Sequence, residues 1–237
     1  MSALCDAIDA IRKTRPRRVV VFTGAGVSAD SGIPTFRGAS GLWRNFRAED
    51  LATPEAFASD PAMVWEWYEW RRSLIRDAEP NAAHEAIARL RDAVVITQNV
   101  DGLHARAGSA DIIELHGNIF RVRCVAEQKT FEKEQPLESI PPCCSCGALL
   151  RPDVVWFGEM LPEEAMARAS AAIIASDLLL VVGTSGVVYP AAGLVHLRRN
   201  LAIEVNPETS TACNYAVSLR AAEGVPPIVE AILEARE

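Results

Sequence analysis

The sequence predicts an α/β protein, a doubly wound parallel sheet with a smaller inserted domain. Three observations predict it. Short β-branched runs recur along the chain, and helical patterns separate several of them. The first run ends in glycines, as a buried parallel strand does where it meets a tight turn. Two stretches, 36–80 and 118–150, break the alternation.

The elements follow in order. "RVVVFTGAG", from Arg18, is the first strand; the basic cluster Arg12, Lys13, Arg15, Arg17 and Arg18 before it reads as a solvated helix end. From Phe36 to Pro80 the chain is aromatic-rich helix and loop. Its central helix, "DPAMVWEWYEWRRSLIRD", opens with Asp60 as cap and Pro61 at the first helical position. "PNAAHEAIARLRD" begins with a second cap signal, and "AVVITQN" and "DIIELHG" are the next strands. Residues 118–150 hold four cysteines, the charged run "AEQKTFEKEQPLE" and the pair Pro141-Pro142. "VVWFGE", from Val154, reads from its residues alone as one more core strand. "LPEEAMARASAAIIAS" carries acidic residues in its first turn, as the helix dipole favours. "DLLLVVGTS" and "LAIEVN" are further strands, and the helix "VPPIVEAILEARE" closes the chain. Residues 1–35, 81–117 and 151–237 are thus expected to form a nucleotide-binding domain of Rossmann-like type. Residues 36–80, a helical module, and 118–150, a cysteine module, are expected to form the small domain.

Composition narrows the function. A hydrophobic content of 49% supplies a core, and a net charge of −7 argues against general nucleic-acid binding. No apolar run reaches the length of a membrane span, and no apolar leader precedes a small-residue cleavage site, so a cytoplasmic protein is expected; the sequence does not decide the oligomeric state, and a monomer is favoured. Six cysteines are too few and too uneven for a secreted disulfide framework. Cys5 and Cys213 stand apart; Cys124, Cys143, Cys144 and Cys146 fall together, which in a reducing compartment points to metal.

The chemistry gathers at strand ends. Gly24, Gly26 and Ala29 fit G-x-G-x-x-A directly after a strand, where backbone N–H groups can cradle a pyrophosphate. The other strand ends read Gln98-Asn99-Val100-Asp101, His116-Gly117, Gly183-Thr184-Ser185 and Asn206. Ligands of open α/β sheets sit beyond such ends. "GTS" suits a phosphate or ribose, and Asn206 a ribose hydroxyl. The second strand with an acidic residue that a dehydrogenase fingerprint requires is missing, and the turn runs instead into "DSGIPTFRG". The dinucleotide is therefore expected as a reactant, enclosed by a loop carrying Phe36 and Arg37. Of the four histidines, His84 and His196 lie in helical patterns, and His104 follows the "NVDG" turn and helps shape the site. His116 stands at a strand end, open to the crevice, as a general base requires.

Together "GAGVSADSGIPTFRG", "TQNVDGLH", "LHGN", "LRPDVVWFGE" and "GTS" resemble, in order, the motifs of the sirtuins, NAD-dependent protein-lysine deacylases of bacterial or archaeal type. The resemblance covers about residues 18 to 230. It implies that an acyl-lysine oxygen attacks the nicotinamide ribose, nicotinamide leaves, and His116 acts as base on a ribose hydroxyl. Free lysine and O-acyl-ADP-ribose result. It further implies that Gln98, Asn99 and Asp101 hold the ribose and the nicotinamide amide, with Phe36 and Arg37 in the enclosing loop. Gly24, Ala25, Gly26, Gly183, Thr184, Ser185, Asn206, Pro207 and Glu208 hold the remainder of NAD. "VVWFGE" becomes a rail on which an acylated peptide adds as a strand, with Val155 and Phe157 lining the lysine tunnel and Gly158 beside them.

Tyr68 and Arg71 share one face of the aromatic helix. By themselves they read as snorkelling side chains. Within the family, Tyr-x-x-Arg resembles the class III type, the desuccinylases and demalonylases, whose pocket must neutralise a carboxylate; Arg72 is the alternative guanidinium. The family's structural zinc uses two Cys-x-x-Cys pairs. Cys143 and Cys146 make the second pair, but Cys124 is followed three residues on by Glu127. Cys124, Cys143 and Cys146 with Glu127 or Cys144 give a zinc site, or else the site is degenerate. A mainly deacetylating enzyme, a mono-ADP-ribosyltransferase and a non-catalytic NAD-responsive module are the other readings.

Overall fold

The computed structural model describes residues 3–34, 47–186, 189–209 and 213–237. Strands β1 (Val19–Thr23), β2 (Val94–Thr97), β3 (Asp111–Glu114), β7 (Leu178–Val182), β8 (Leu201–Val205) and β9 (Tyr215–Val217) form one sheet in the order β3-β2-β1-β7-β8-β9. All its pairings are parallel. The chain leaves β1 toward β2 and β3, then returns to the other side of β1 for β7, β8 and β9. The ends of β1 and β7 are therefore the switch point at which such sheets open a crevice.

The strands are apolar on both sides because both faces are covered. Val19 and Val21 pack with α1 (Ala3–Thr14), α5 (Ala82–Arg89) and α8 (Ala221–Glu234); Val20 and Phe22 face α7 (Glu163–Ala175). Asn81 caps α5, accepting from the Ala83 N–H, and α8 begins at Ala221 and includes Pro226 and Pro227. His196 is exposed on a 3-10 segment, Ala191–Leu197, rather than on an α-helix.

The small module has its own core. Helices α2 (Ala48–Leu51), α3 (Pro54–Ser59) and α4 (Pro61–Asp77) share it with an antiparallel sheet of β4 (Gly117–Cys124), β5 (Thr130–Glu132) and β6 (Leu150–Val154). Short α6 (Leu103–Arg106) contributes Leu103. Asp60 caps α4 by accepting from the Met63 N–H, with Pro61 following, as the sequence predicts. Buried Trp65 donates its indole N–H to the Leu150 carbonyl at 2.8 Å. Fully buried Arg72 donates through Nη2 to the carbonyls of Lys133 and Gln135, and Arg76 to that of Glu134. Arg72 is thereby fixed to the cysteine module and is not a substitute for Arg71. The run "VVWFGE" is a strand only to Val154; residues 157–158 form a turn, with Gly158 at φ +86°. Among the described residues no helix is long and apolar enough to cross a membrane.

Candidate active site

The crevice floor is made of glycines fitted against one another. A Cβ on Gly24 would stand 2.9 Å from the Gly183 carbonyl oxygen, and one on Gly26 2.7 Å from the Gly183 Cα. Gly183 has φ +60°, and a Cβ there would meet the Val27 nitrogen at 2.3 Å. The sequence reading gives these glycines to a pyrophosphate; the geometry requires them first for the contact between the β1 and β7 turns. Two single 3-10 turns follow, Ala25–Val27 and Ala29–Ser31, in place of a long helix.

Polar side chains from the strand ends meet above this floor. The His116 Nδ1 lies 2.7 Å from the Gln98 carbonyl. A carbonyl only accepts, so the ring proton sits on Nδ1 and the Nε2 lone pair is left as a base. Burial lowers the His116 pKa, against the opposing effect of the Gln98 carbonyl. Gln98 in turn donates through Nε2 to the Thr184 hydroxyl at 3.1 Å.

Ser28 is the centre of a second group. Its hydroxyl donates to Asp101 Oδ2 at 2.7 Å and accepts from Asn99 Nδ2 at 3.1 Å. His84 Nε2 lies 3.4 Å from the same hydroxyl, while its Nδ1 faces the Asn81 N–H at 3.3 Å and so accepts from it. His84 is thus part of the site's support and not a bystander in its helix. The His104 Nε2 contacts the Thr23 hydroxyl at 3.0 Å, which bonds to Thr97 at 2.9 Å. The two imidazoles pack edge to face, 4.8 Å between centroids. Burial lowers their pKa values to about 4 for His84 and about 3 for His104, so both are neutral at physiological pH. Burial pushes the Asp101 carboxyl up, opposed by the Leu103 N–H, the Ser28 hydroxyl and the charge of Arg71.

The predicted residues fall as follows. Gly24, Ala25, Gly26, Gln98, Asn99, Asp101, Gly183 and Thr184 surround the ends of β1, β2 and β7. Ser185 is exposed beside them, as are Pro207 and Glu208. Asn206 follows β8 and uses its Nδ2 on the Thr184 and Glu208 carbonyls, at 3.1 and 2.7 Å. Only its Oδ1 is left to accept from a ribose hydroxyl. Phe36 and Arg37 lie outside the described residues. Ser28, Thr23 and Thr97 were not singled out by the sequence; their signal was position, inside the glycine motif or at a strand's last residue.

Tyr68 and Arg71 do lie together on α4. Tyr68 is 4% exposed, and its hydroxyl accepts the Trp156 indole N–H at 2.9 Å. Burial pushes the phenol pKa well above its ordinary value, so it remains protonated. Burial lowers the Arg71 pKa, opposed by its attraction to Tyr68 and Asp101, and its Cζ lies 5.4 Å from the Trp67 ring centroid. The guanidinium keeps its charge all the same. Beyond β6, Val155 N–H donates to the His116 carbonyl and Phe157 N–H to that of Ala52, both at 2.9 Å. These bonds hang the segment after β6 between His116 and the helical module. Phe157 and Gly158 are exposed.

The cysteine cluster departs from the predicted set. Cys124, Glu127, Cys144 and Cys146 bring ligand atoms within 4.8 Å of one another. Cys143 is exposed and outside it, although it stands in the Cys-x-x-Cys pair. Cys143 bridges antiparallel to Leu149, so the backbone there is extended and successive side chains point to opposite sides. Cys144 therefore turns inward in its place. The donors fit zinc: the Cys124 and Cys146 sulfurs are 3.5 Å apart, near the ~3.8 Å edge of a tetrahedron with Zn–S of about 2.3 Å. The Glu127 N–H donates to the Cys124 sulfur at 3.4 Å, and a bond from the Cys146 backbone holds the Cys144 pKa below the ordinary thiol value. Such bonds favour the thiolates that a metal requires.

Fold and site together define a nucleotide-binding enzyme with a half-buried histidine at the crevice. A model of the Sir2 family matches residues 24–190, and the chain belongs to that family. An NAD-dependent protein deacylase 2 of Pyrobaculum aerophilum is 52% identical over 227 residues, 91% of each chain. A solved Sir2 homolog–NAD complex is 44% identical, with a TM-score of 0.90 over 97% of this chain and 95% of that one. A mutant Sir2 homologue in complex with 2′-O-acetyl ADP ribose is 43% identical, also with a TM-score of 0.90, over 98% and 97%.

Proposed function

We propose that this chain, an NAD-dependent protein deacylase, favours lysines carrying short dicarboxylic acyl groups such as succinyl and malonyl, and accepts acetyl-lysine as well. NAD is consumed as a substrate. Gln98, Asn99 and Asp101 hold the nicotinamide ribose and amide, and the turns after β1, β7 and β8 hold the rest. The lysine acyl oxygen displaces nicotinamide. His116 Nε2 then takes a proton from a ribose hydroxyl, whose oxygen attacks the acyl carbon; a water molecule adds to that carbon as the lysine amine leaves, giving free lysine and O-acyl-ADP-ribose. The peptide pairs with the segment after β6. There the Val155, Trp156 and Phe157 N–H groups already have partners, so the Gly158 N–H and the Val155 and Phe157 carbonyls are the groups for it to use.

The observation that carries the acyl preference is that Arg71 interacts both with Tyr68, one turn away on α4, and with Asp101 at the end of β2. A pocket for acetyl alone has no use for a retained guanidinium; an acyl carboxylate pairs with it and with the phenol. The test is kcat/KM on acetyl-, malonyl-, succinyl- and glutaryl-lysine peptides with NAD. Tyr68→Phe and Arg71→Met should each lower the succinyl value about ten- to a hundredfold, since one charged hydrogen bond contributes roughly 1.5–3 kcal/mol, with a smaller change for acetyl. Equal losses on every acyl group would exclude the preference.

We also propose the division of the chain into 36–80 plus 118–150 as one small domain and 1–35, 81–117 and 151–237 as the other. The shared buried cluster of α2–α4, β4 and β6 supports it.

A further inference from the structure

We propose that Trp156 is a positioning residue for acyl specificity: its indole N–H holds the Tyr68 hydroxyl as an acceptor and so aims the phenolic proton at an acyl carboxylate. An indole N–H can only donate, whereas a phenol donates one hydrogen bond and accepts others. With Trp156 Nε1 at 2.9 Å, the Tyr68 oxygen accepts, and the tyrosine proton must go elsewhere. Conjugation keeps that proton in the plane of the ring, where it has two directions to choose from. The incoming indole N–H occupies one of them. The other is then fixed before any substrate arrives, which spares the ordering cost on binding.

The indole is itself held firmly. Trp156 is 3% exposed, with the Arg151 Cζ 3.5 Å from its ring centroid and the Phe57 ring 5.2 Å away. Arg151 pairs through both terminal nitrogens with Glu159, at 2.6 and 2.8 Å. The same Glu159 carboxylate accepts the Trp156 backbone N–H at 2.9 Å. One ion pair thus fixes the backbone and the ring of Trp156 together and closes the turn that carries Phe157 and Gly158. The Tyr68 ring is set in turn against Trp67 and Trp65, at 4.6 and 6.3 Å. The turn that meets the peptide is joined through Trp156 to the phenol that selects the acyl group.

This inference rests on the acidic-acyl reading above, and its test separates the two. Trp156 is replaced by Phe and, in a second variant, by β-(3-benzothienyl)alanine, which keeps the shape of the indole but has sulfur in place of N–H. The ratio of succinyl to acetyl kcat/KM should fall about three- to tenfold in both, mainly through the succinyl KM, the effect of one neutral hydrogen bond. In a Tyr68→Phe background the same replacements should change the ratio no further. If Tyr68→Phe collapses the ratio while the benzothienyl variant keeps the wild-type value, the role of Trp156 is refuted and the acyl reading stands. If Tyr68→Phe leaves the ratio as it was, both fall.

Discussion

The chemistry proposed for His116 depends on one backbone carbonyl. Gln98 fixes the proton on Nδ1, and burial moves the imidazole pKa below the ordinary 6.5. The proposed base is the neutral ring, which is lost as pH falls through that lowered pKa. The acid limb of kcat/KM for O-acyl-ADP-ribose formation should therefore lie below pH 6.5, and His116→Ala should lower that rate about a hundredfold or more. A limb centred above 6.5 would contradict the assignment. The candidate base was legible as a histidine before a glycine at a strand end. Its carbonyl partner was not, because every residue has a carbonyl and only the fold selects one. Ser28 was missed for a related reason: a serine in a glycine-rich turn reads as part of an N–H cradle, and its bonds to Asp101 and Asn99 join residues distant in sequence. Trp156 was hidden inside an apolar run, where an indole reads as core.

Among elements, the β1 and β7 turns depend on each other. Gly183→Ala would put a Cβ at φ +60° and 2.3 Å from the Val27 nitrogen. A left-handed residue alone costs roughly 1–2 kcal/mol, and the clash adds to it. Chemical denaturation should show a loss of at least about 2 kcal/mol, and calorimetry should show weakened NAD binding; wild-type stability would refute the interlock. Strands β1, β2, β3, β7 and β8 were plain from the sequence as continuous apolar runs, whereas the eight-residue β4 and the strand β6 were not, their apolar residues being interrupted by charged ones. The three-residue strands β5 and β9 were not, being too short to show a period. "VVWFGE" carries strand residues throughout, yet Glu159 bonds back to Trp156 and Arg151 and turns the chain after Val154.

For the molecule as a whole, a metal held by the cysteine cluster would bear on stability rather than on chemistry. Cys144→Ser should lower the zinc content and the melting temperature, and Cys143→Ser should keep both, as read by elemental analysis and calorimetry. Chelation should act as Cys144→Ser does, and added zinc should reverse it. The reverse order of the two serine variants would restore the spacing-based set. Spacing in the sequence selected Cys143; the alternation of an extended backbone selects Cys144, and only the bridge to Leu149 reveals it.

Arg71 and Arg72 are neighbours in sequence with opposite loyalties. One interacts with Tyr68; the other is anchored in the carbonyls of Lys133 and Gln135, on the module that carries the thiols. Loosening that module should therefore free Arg72 first, and so unsettle the very turn of helix on which its neighbour stands.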